Sequence, residues 1–241
     1  MKKFITLLFI LLITTACRGN QPPPTPTPDP AIPPTPTPTP AETLAQAAEV
    51  MLALRGAQIE ISRTGGPAYL DADGFLVFSS ATVVYAAPDR VQARVKALTS
   101  NTALELGFIA VGPDKWLTNP ATLAWEKLPD NIQLDLALLF DEREGWRPLL
   151  TRDARDIQLV DVTVFGNIVR HQYRATIAGE RAAAITSGLV APQDIALDIF
   201  IDPATLHVTQ LQFTVPTPTE PSNWVLQFSQ FGLEVEIIPP Q

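Results

Sequence analysis

Cysteine is the first scarcity. The 241 residues include one, Cys17, and only two histidines, His171 and His207. One thiol cannot close a disulfide within the chain, so the folded part must rely on its core. The two histidines lie in β-type stretches with no neighbouring pattern of ligands, so neither reads as a general base or a metal ligand. His-Glu-x-x-His, Gly-x-Ser-x-Gly, a phosphate loop and a dinucleotide fingerprint are all missing, which leaves no catalytic signature and no cofactor to expect. Basic residues are also few, 17 against 25 acidic, for a net charge of −8. An acidic chain is a poor partner for nucleic acid and for anionic lipid headgroups. The apolar run at the N-terminus, Phe4–Ile13, spans ten residues. A bilayer-crossing helix needs about 20.

That run has another use. Lys2 and Lys3 precede it, and Thr14-Thr15-Ala16 lead into Cys17. A basic start, a short apolar stretch and small residues before the cut define a secretory signal, here residues 1–16. The stretch resembles a bacterial lipoprotein signal, in which cleavage before cysteine leaves an acylated N-terminus. Ala16 and Cys17 fit that pattern, while Thr14 stands where Leu, Val or Ile is usual. The resemblance implies a lipid-modified Cys17, carrying for example palmitate, that holds the protein to the extracytoplasmic face of the cell membrane. A free surface thiol or half of an intermolecular disulfide are the other readings.

Residues 17–40 read as a tether. Eleven prolines fall within 21–40, alternating largely with threonine. Proline fixes φ and removes donors, so this segment favours polyproline II and buries nothing. At about 3.1 Å per residue, the stretch after Cys17 reaches roughly 70 Å.

Residues 41–241 form the domain. Thr39, Pro40 and Glu42 make a capping box, and Leu44, Ala47, Ala48, Met51 and Leu52 recur at helical spacing, predicting a helix over 40–55 closed by Arg55 and Gly56. From Ala57 the period becomes two, with strands expected at 75–79, 82–87, 90–98, 104–111, 115–118 and 125–128. In 90–98, Arg90, Gln92, Arg94 and Lys96 mark the solvated face, so Val91, Ala93, Val95 and Ala97 face inward with Leu104 and Leu106 beside them. Ala103 is read as inward too. Asp130–Phe140 is apolar nearly all round, predicting a helix buried on more than one side. With Gly145–Thr151 it forms an insert, Leu136–Leu150, read as a mobile lid carrying Leu136, Leu139, Phe140 and, at a cavity mouth, Trp146. Further strands are expected at 156–165, 167–178, 195–201, 206–215, 224–230 and 233–238, around a short helix at 179–187. Asp71-Ala72-Asp73-Gly74 reads as a turn, since the further oxygens of a calcium loop are missing.

Connections this short predict antiparallel pairing. Eleven to thirteen strands would make a flat sheet roughly 50–60 Å wide, and few short helices cannot cover it. Either it splits into a sandwich, or it curls round the helices and leaves an apolar cavity with Ile199 and Phe213 on the inner phase.

The order of elements carries a resemblance. A capped helix follows the spacer, then come a meander, the Leu136–Leu150 insert and the hairpin Asp161-Val162-Thr163 to Tyr173-Arg174-Ala175-Thr176-Ile177. Ile199-Phe200-Ile201-Asp202 and a close in Trp224, Phe231-Gly232 and Val235–Pro239 follow. This resembles the LppX/LprAFG family of bacterial cell-envelope lipoproteins over about 41–240. The resemblance implies an α+β fold, a strongly curved antiparallel half-barrel related to LolA/LolB, wrapped round helices and an apolar cavity. It implies a non-enzymatic carrier or presenter of lipid or glycolipid acyl chains, with an envelope lipid transporter as a partner. The long Pro-Thr tether and the lack of a sugar-binding cluster are departures. An envelope sensor or interaction module on the same scaffold is the alternative.

Overall fold

The computed structural model describes residues 37–71, 73–128, 136–166 and 168–240. Cys17, the tether up to residue 36, Ala72, Asn167 and residues 129–135, which include the first part of the helix expected over Asp130–Phe140, lie outside them. Pro38–Gln241 form one compact unit that contains every strand and the core.

The first helix, α1 (Pro40–Leu52), starts as its sequence dictates. Thr39 Oγ1 accepts from the Glu42 amide, and the Glu42 carboxylate accepts from the Thr39 amide, closing the capping box. Leu44, Ala47, Ala48 and Met51 form its buried stripe. The helix stops three residues earlier than expected, and Gly56 is not its C-terminal cap. Gly56 opens strand β1 (Gly56–Gly65), where a Cβ would sit 2.1 Å from the Leu233 carbonyl oxygen. The glycine is needed for that close approach, not for a helix end.

Ten further strands follow: β2 (Val77–Ala86), β3 (Arg90–Leu98), β4 (Ala103–Val111), β5 (Asp114–Thr118), β6 (Trp125–Lys127), β7 (Ala154–Phe165), β8 (Ile168–Ile177), β9 (Ile195–Ile201), β10 (Val208–Val215) and β11 (Ser222–Ser229). They form one antiparallel sheet of eleven, in the order β6-β5-β4-β3-β2-β1-β11-β10-β9-β8-β7. β1 and β11 pair across the middle, so the first and last strands of the chain join two meanders. The sheet does not close, and it curves as a half-barrel. Residues from β1 to β4 and from β8 to β11 meet in one apolar cluster with the helices, which a flat sheet of that width could not arrange.

Strand β3 alternates as its charges require: Val91, Ala93, Val95 and Ala97 are buried, Gln92, Arg94, Lys96 and Leu98 exposed. The two strands expected over 75–87 are one. A bulge between Phe78 and Ser80 absorbs an extra residue, which lets Phe78 and Ala81 face the same way despite odd spacing. Ala103 points outward and is exposed, since Leu104 and Leu106 hold the inner phase of β4. Leu233–Ile238 is not a strand. Both edges of β1 and of β11 are already paired, so no ladder is open to it. The segment instead crosses the outer face, where Ile237 packs with Ala86 and Ile109 and Arg90 Nη1 donates to its carbonyl over 2.8 Å.

The described end of the insert is a 3-10 turn, Leu138–Phe140, in place of the α-helix expected there. Two short helices follow in sequence, α2 (Trp146–Leu150) and α3 (Gly179–Ile185). With so little helix, the concave face is filled as much by strand side chains as by helical ones. No helix among the described residues is long and apolar enough to cross a membrane.

Candidate functional site

The concave face gathers most of the residues singled out above. Val91, Ala93, Val95, Ala97, Leu106, Leu139, Phe140, Trp146, Ile199 and Phe213 are buried in one cluster, with Leu136 packed against it and Leu104 half-buried outside it. They pack tightly around α1 and α2. Tyr85 stacks on Phe140 with centroids 3.7 Å apart, and Trp146 meets Phe140 and Phe228 edge-on at 6.3 and 5.2 Å. Trp146 is therefore at the centre of the core and not at a mouth. α2 turns Trp146, Leu149 and Leu150 inward, leaving Arg147 as its outer face.

Two clamps hold this insert down. Arg147 donates from Nε and Nη2 to the Glu49 carboxylate at 2.7 and 2.8 Å, tying α2 to α1. Arg181 of α3 is buried and donates to Asp153 Oδ2 at 2.6 Å, to the Glu144 carbonyl at 2.5 Å and to Glu144 Oε2 at 2.8 Å. Hydrogen bonds from Arg152 above all, and from Arg181, hold the Asp153 carboxyl below its usual range against the opposing effect of burial. Expecting the whole of Leu136–Leu150 to move as a lid is thus at odds with 146–150, which is pinned core.

Open apolar space lies at one end of the half-barrel. A crevice of about 40 Å³ is lined by Ile61, Phe78, Val95, Trp224 and Leu226 of the sheet, and by Leu70, Leu136, Ile185 and Leu189 from segments that close over it. Of the residues expected at a cavity, Val95 and Leu136 line it. The others were missed because a strand's alternation shows which face is inward, not which part of that face lies beneath a loop. The crevice offers room for a few water-sized groups, so an acyl chain enters only if Leu136 and the 185–189 segment swing outward.

Beside the crevice, and sharing Leu189 and Trp224 with it, is an open groove of about 370 Å³ between Pro67–Tyr69, Gly188–Ala191 and Val215–Pro218. The Trp224 ring is sandwiched between Phe78 at 5.3 Å and Phe213 at 5.9 Å, nearly parallel to both. Neither crevice nor groove is lined by an Asp, Glu, Lys, Arg or His. Among the described residues no three His, Cys, Asp or Glu converge as a metal site. His171 lies beside Tyr173, and His207 stacks on Phe231 at 4.1 Å, its pKa lowered by burial and partly restored by Asp202.

No protein-family model matches the chain, and no curated protein matches it. Solved structures do. The lipoprotein LppX of Mycobacterium tuberculosis is 16% identical, over 83% of this chain and 98% of that one, with a TM-score of 0.59. LprF of Mycobacterium bovis is 12% identical, over 86% and 99%, with a TM-score of 0.64. The half-barrel fold is the one these two proteins share.

Proposed function

We propose that this protein is a membrane-tethered lipid-binding lipoprotein of the cell envelope, non-enzymatic, which carries or presents acyl chains held on the concave face of its half-barrel. The observation that carries the reading is the uncharged apolar crevice at the open end of the sheet, roofed by Leu136, Ile185 and Leu189. Strands paired on both sides make a rigid wall, while the roof comes from the turn before Leu138–Phe140, the last residue of α3 and the turn that follows it, elements held by fewer backbone bonds. Burial of a chain contributes about 0.8 kcal/mol per CH₂, so tight binding needs no polar motif. The fold shared with LppX and LprF supports the same reading. Cys17 would supply the anchor and the Pro-Thr segment the reach to meet a donor or acceptor, including an envelope lipid transporter.

A second reading, an envelope interaction module, is favoured by the β7–β8 hairpin, where Leu159, Val160, Val162, Val164 and Ile168 are exposed. Native mass spectrometry of residues 38–241 purified from cells separates the two. The carrier reading expects the domain to retain lipid, released as acyl-bearing species on activation. An empty domain that also fails to take up added lipid sinks the carrier and leaves the module.

A further inference from the structure

Three buried side-chain polar atoms among the described residues have no hydrogen-bond partner: Trp146 Nε1, Ser222 Oγ and Trp224 Nε1. Buried polar groups are normally paired, so each such atom needs a physical reason. Trp146 lines neither the crevice nor the groove. Ser222 and Trp224 are different. They are two apart on β11, on its inward phase, and continue as Leu226 and Phe228, so one strand face runs from polar to apolar along its length. Both line the groove, and Trp224 forms the wall it shares with the crevice.

The indole cannot turn away to find a partner, because Phe78 and Phe213 hold its two faces. Its N–H is a fixed donor and can only donate; the Ser222 hydroxyl can donate or accept. Two hydroxyls nearby are satisfied. Thr186 Oγ1 donates to the Ala182 carbonyl at 2.7 Å, Thr217 Oγ1 to the Glu220 carbonyl at 2.5 Å. Arg63, the cation of this end of β1, spends its guanidinium on the carbonyls of Phe78, Gly65 and Gly66.

We propose that Ser222 Oγ and Trp224 Nε1 form a hydrogen-bonding site for an uncharged acceptor, the carbonyl of an acyl ester, at the junction of groove and crevice. The proposal rests on the lipid-binding reading and specifies which lipids it takes. The ester's chain would run along Leu226 into the crevice while its other end lies in the groove. Leu189 lines both crevice and groove, so its outward swing opens the junction at which Ser222 and Trp224 lie, and a bound ester would satisfy groups that the closed state leaves unpaired. Without a cation in the lining, two neutral donors do not offset the desolvation of a free carboxylate or a phosphate, which opposes its binding.

The test uses residues 38–241 and three probes: methyl laurate, tridecane, which has a similar chain and no acceptor, and laurate. Affinity is read by displacement of an environment-sensitive fluorophore. Ser222→Ala, whose side chain lines the groove and not the crevice, is expected to weaken methyl laurate by about three- to tenfold, the worth of one neutral hydrogen bond, and to leave tridecane unchanged. Trp224→Phe, which also alters the crevice wall, should weaken the ester by that factor more than the alkane. Trp146→Phe should change neither, and laurate should bind wild type no tighter than the ester. In wild type, the Trp224 indole N–H resonance, assigned by sequential connectivity, should move downfield with methyl laurate and not with tridecane, a readout that needs no variant to fold. Equal losses for ester and alkane, or an indole shift with both, overturn the proposal while leaving lipid binding intact. Failure of wild type to bind ester and alkane alike overturns both.

Discussion

Arg181 Nε donates to Asp153 Oδ2 across 2.6 Å, with the arginine side chain 8% exposed and the aspartate 16%. Arg181 also binds the Glu144 carbonyl and carboxylate, so one guanidinium fastens α3 to the loop before α2 and to the start of β7. Without Arg181 the Asp153 carboxylate keeps Arg152, but the charge-assisted hydrogen bonds to Asp153 and Glu144 are lost, about 3 kcal/mol in all. Arg181→Ala should therefore melt roughly 6–12 °C below wild type. Arg174→Ala, which breaks the more exposed pair with Asp198, should stay within about 1 kcal/mol of wild type by denaturant titration.

Acid should act through the same cluster. The folded Asp153 carboxyl lies below its unfolded value, so its contribution is complete above about pH 3.9. It is lost as pH falls through the folded value. Glu49, lowered by Arg147, and Asp194, lowered by the Gly179 amide and Arg155, act in the same direction. The urea midpoint should slip below about pH 6.5, where burial makes His207 harder to protonate in the fold than in the unfolded chain, and drop further below about 4. In Asp153→Asn the midpoint should start lower and fall less steeply. An Asp153→Asn curve parallel to wild type would show that the carboxylate is not the group responsible.

Two substitutions on one strand face separate packed core from crevice. Ala93 is cross-strand from Val83 and Phe108 and has no room beside it. Ala93→Trp overpacks that site and should cost about 1–3 kcal/mol or more, while the exposed Gln92→Trp should be nearly neutral. Val95 borders the crevice. Val95→Phe should therefore fold almost as wild type and copurify with less than half the lipid per mole of protein. Lipid content is measured by mass spectrometry alongside thermal melting.

The anchor has its own test. If Cys17 is acylated, Cys17→Ser should yield protein without lipid on its N-terminus, either uncleaved or released from the membrane. A membrane-extracted Cys17→Ser protein that still bears diacylglycerol at a mature N-terminus would remove the anchor from the proposed function.

Local chemistry alone determined much of this molecule. Thr39 and Glu42 specify where α1 begins, because a capping box involves only residues three apart. Arg90, Gln92, Arg94 and Lys96 specify the outer face of β3, because a strand's period is two and a charged row must stay in water. Short Gly- and Asp-bearing connections specify antiparallel order. The tertiary structure alone decided what each inward face meets. Leu233–Ile238 alternates like a strand yet finds no open edge beside it, since β1 and β11 are each paired on both sides. Gly56 follows a helix like a cap but is needed where Leu233 passes. Trp146 looks like a rim residue from its short insert and lies at the centre of the core. The crevice joins Leu70, Leu136, Leu189 and Trp224, which are far apart in sequence, so no periodicity could connect them. Periodicity reports which way a side chain points. Curvature of the sheet, and the segments that cross its open end, decide whether it points at another side chain or at space.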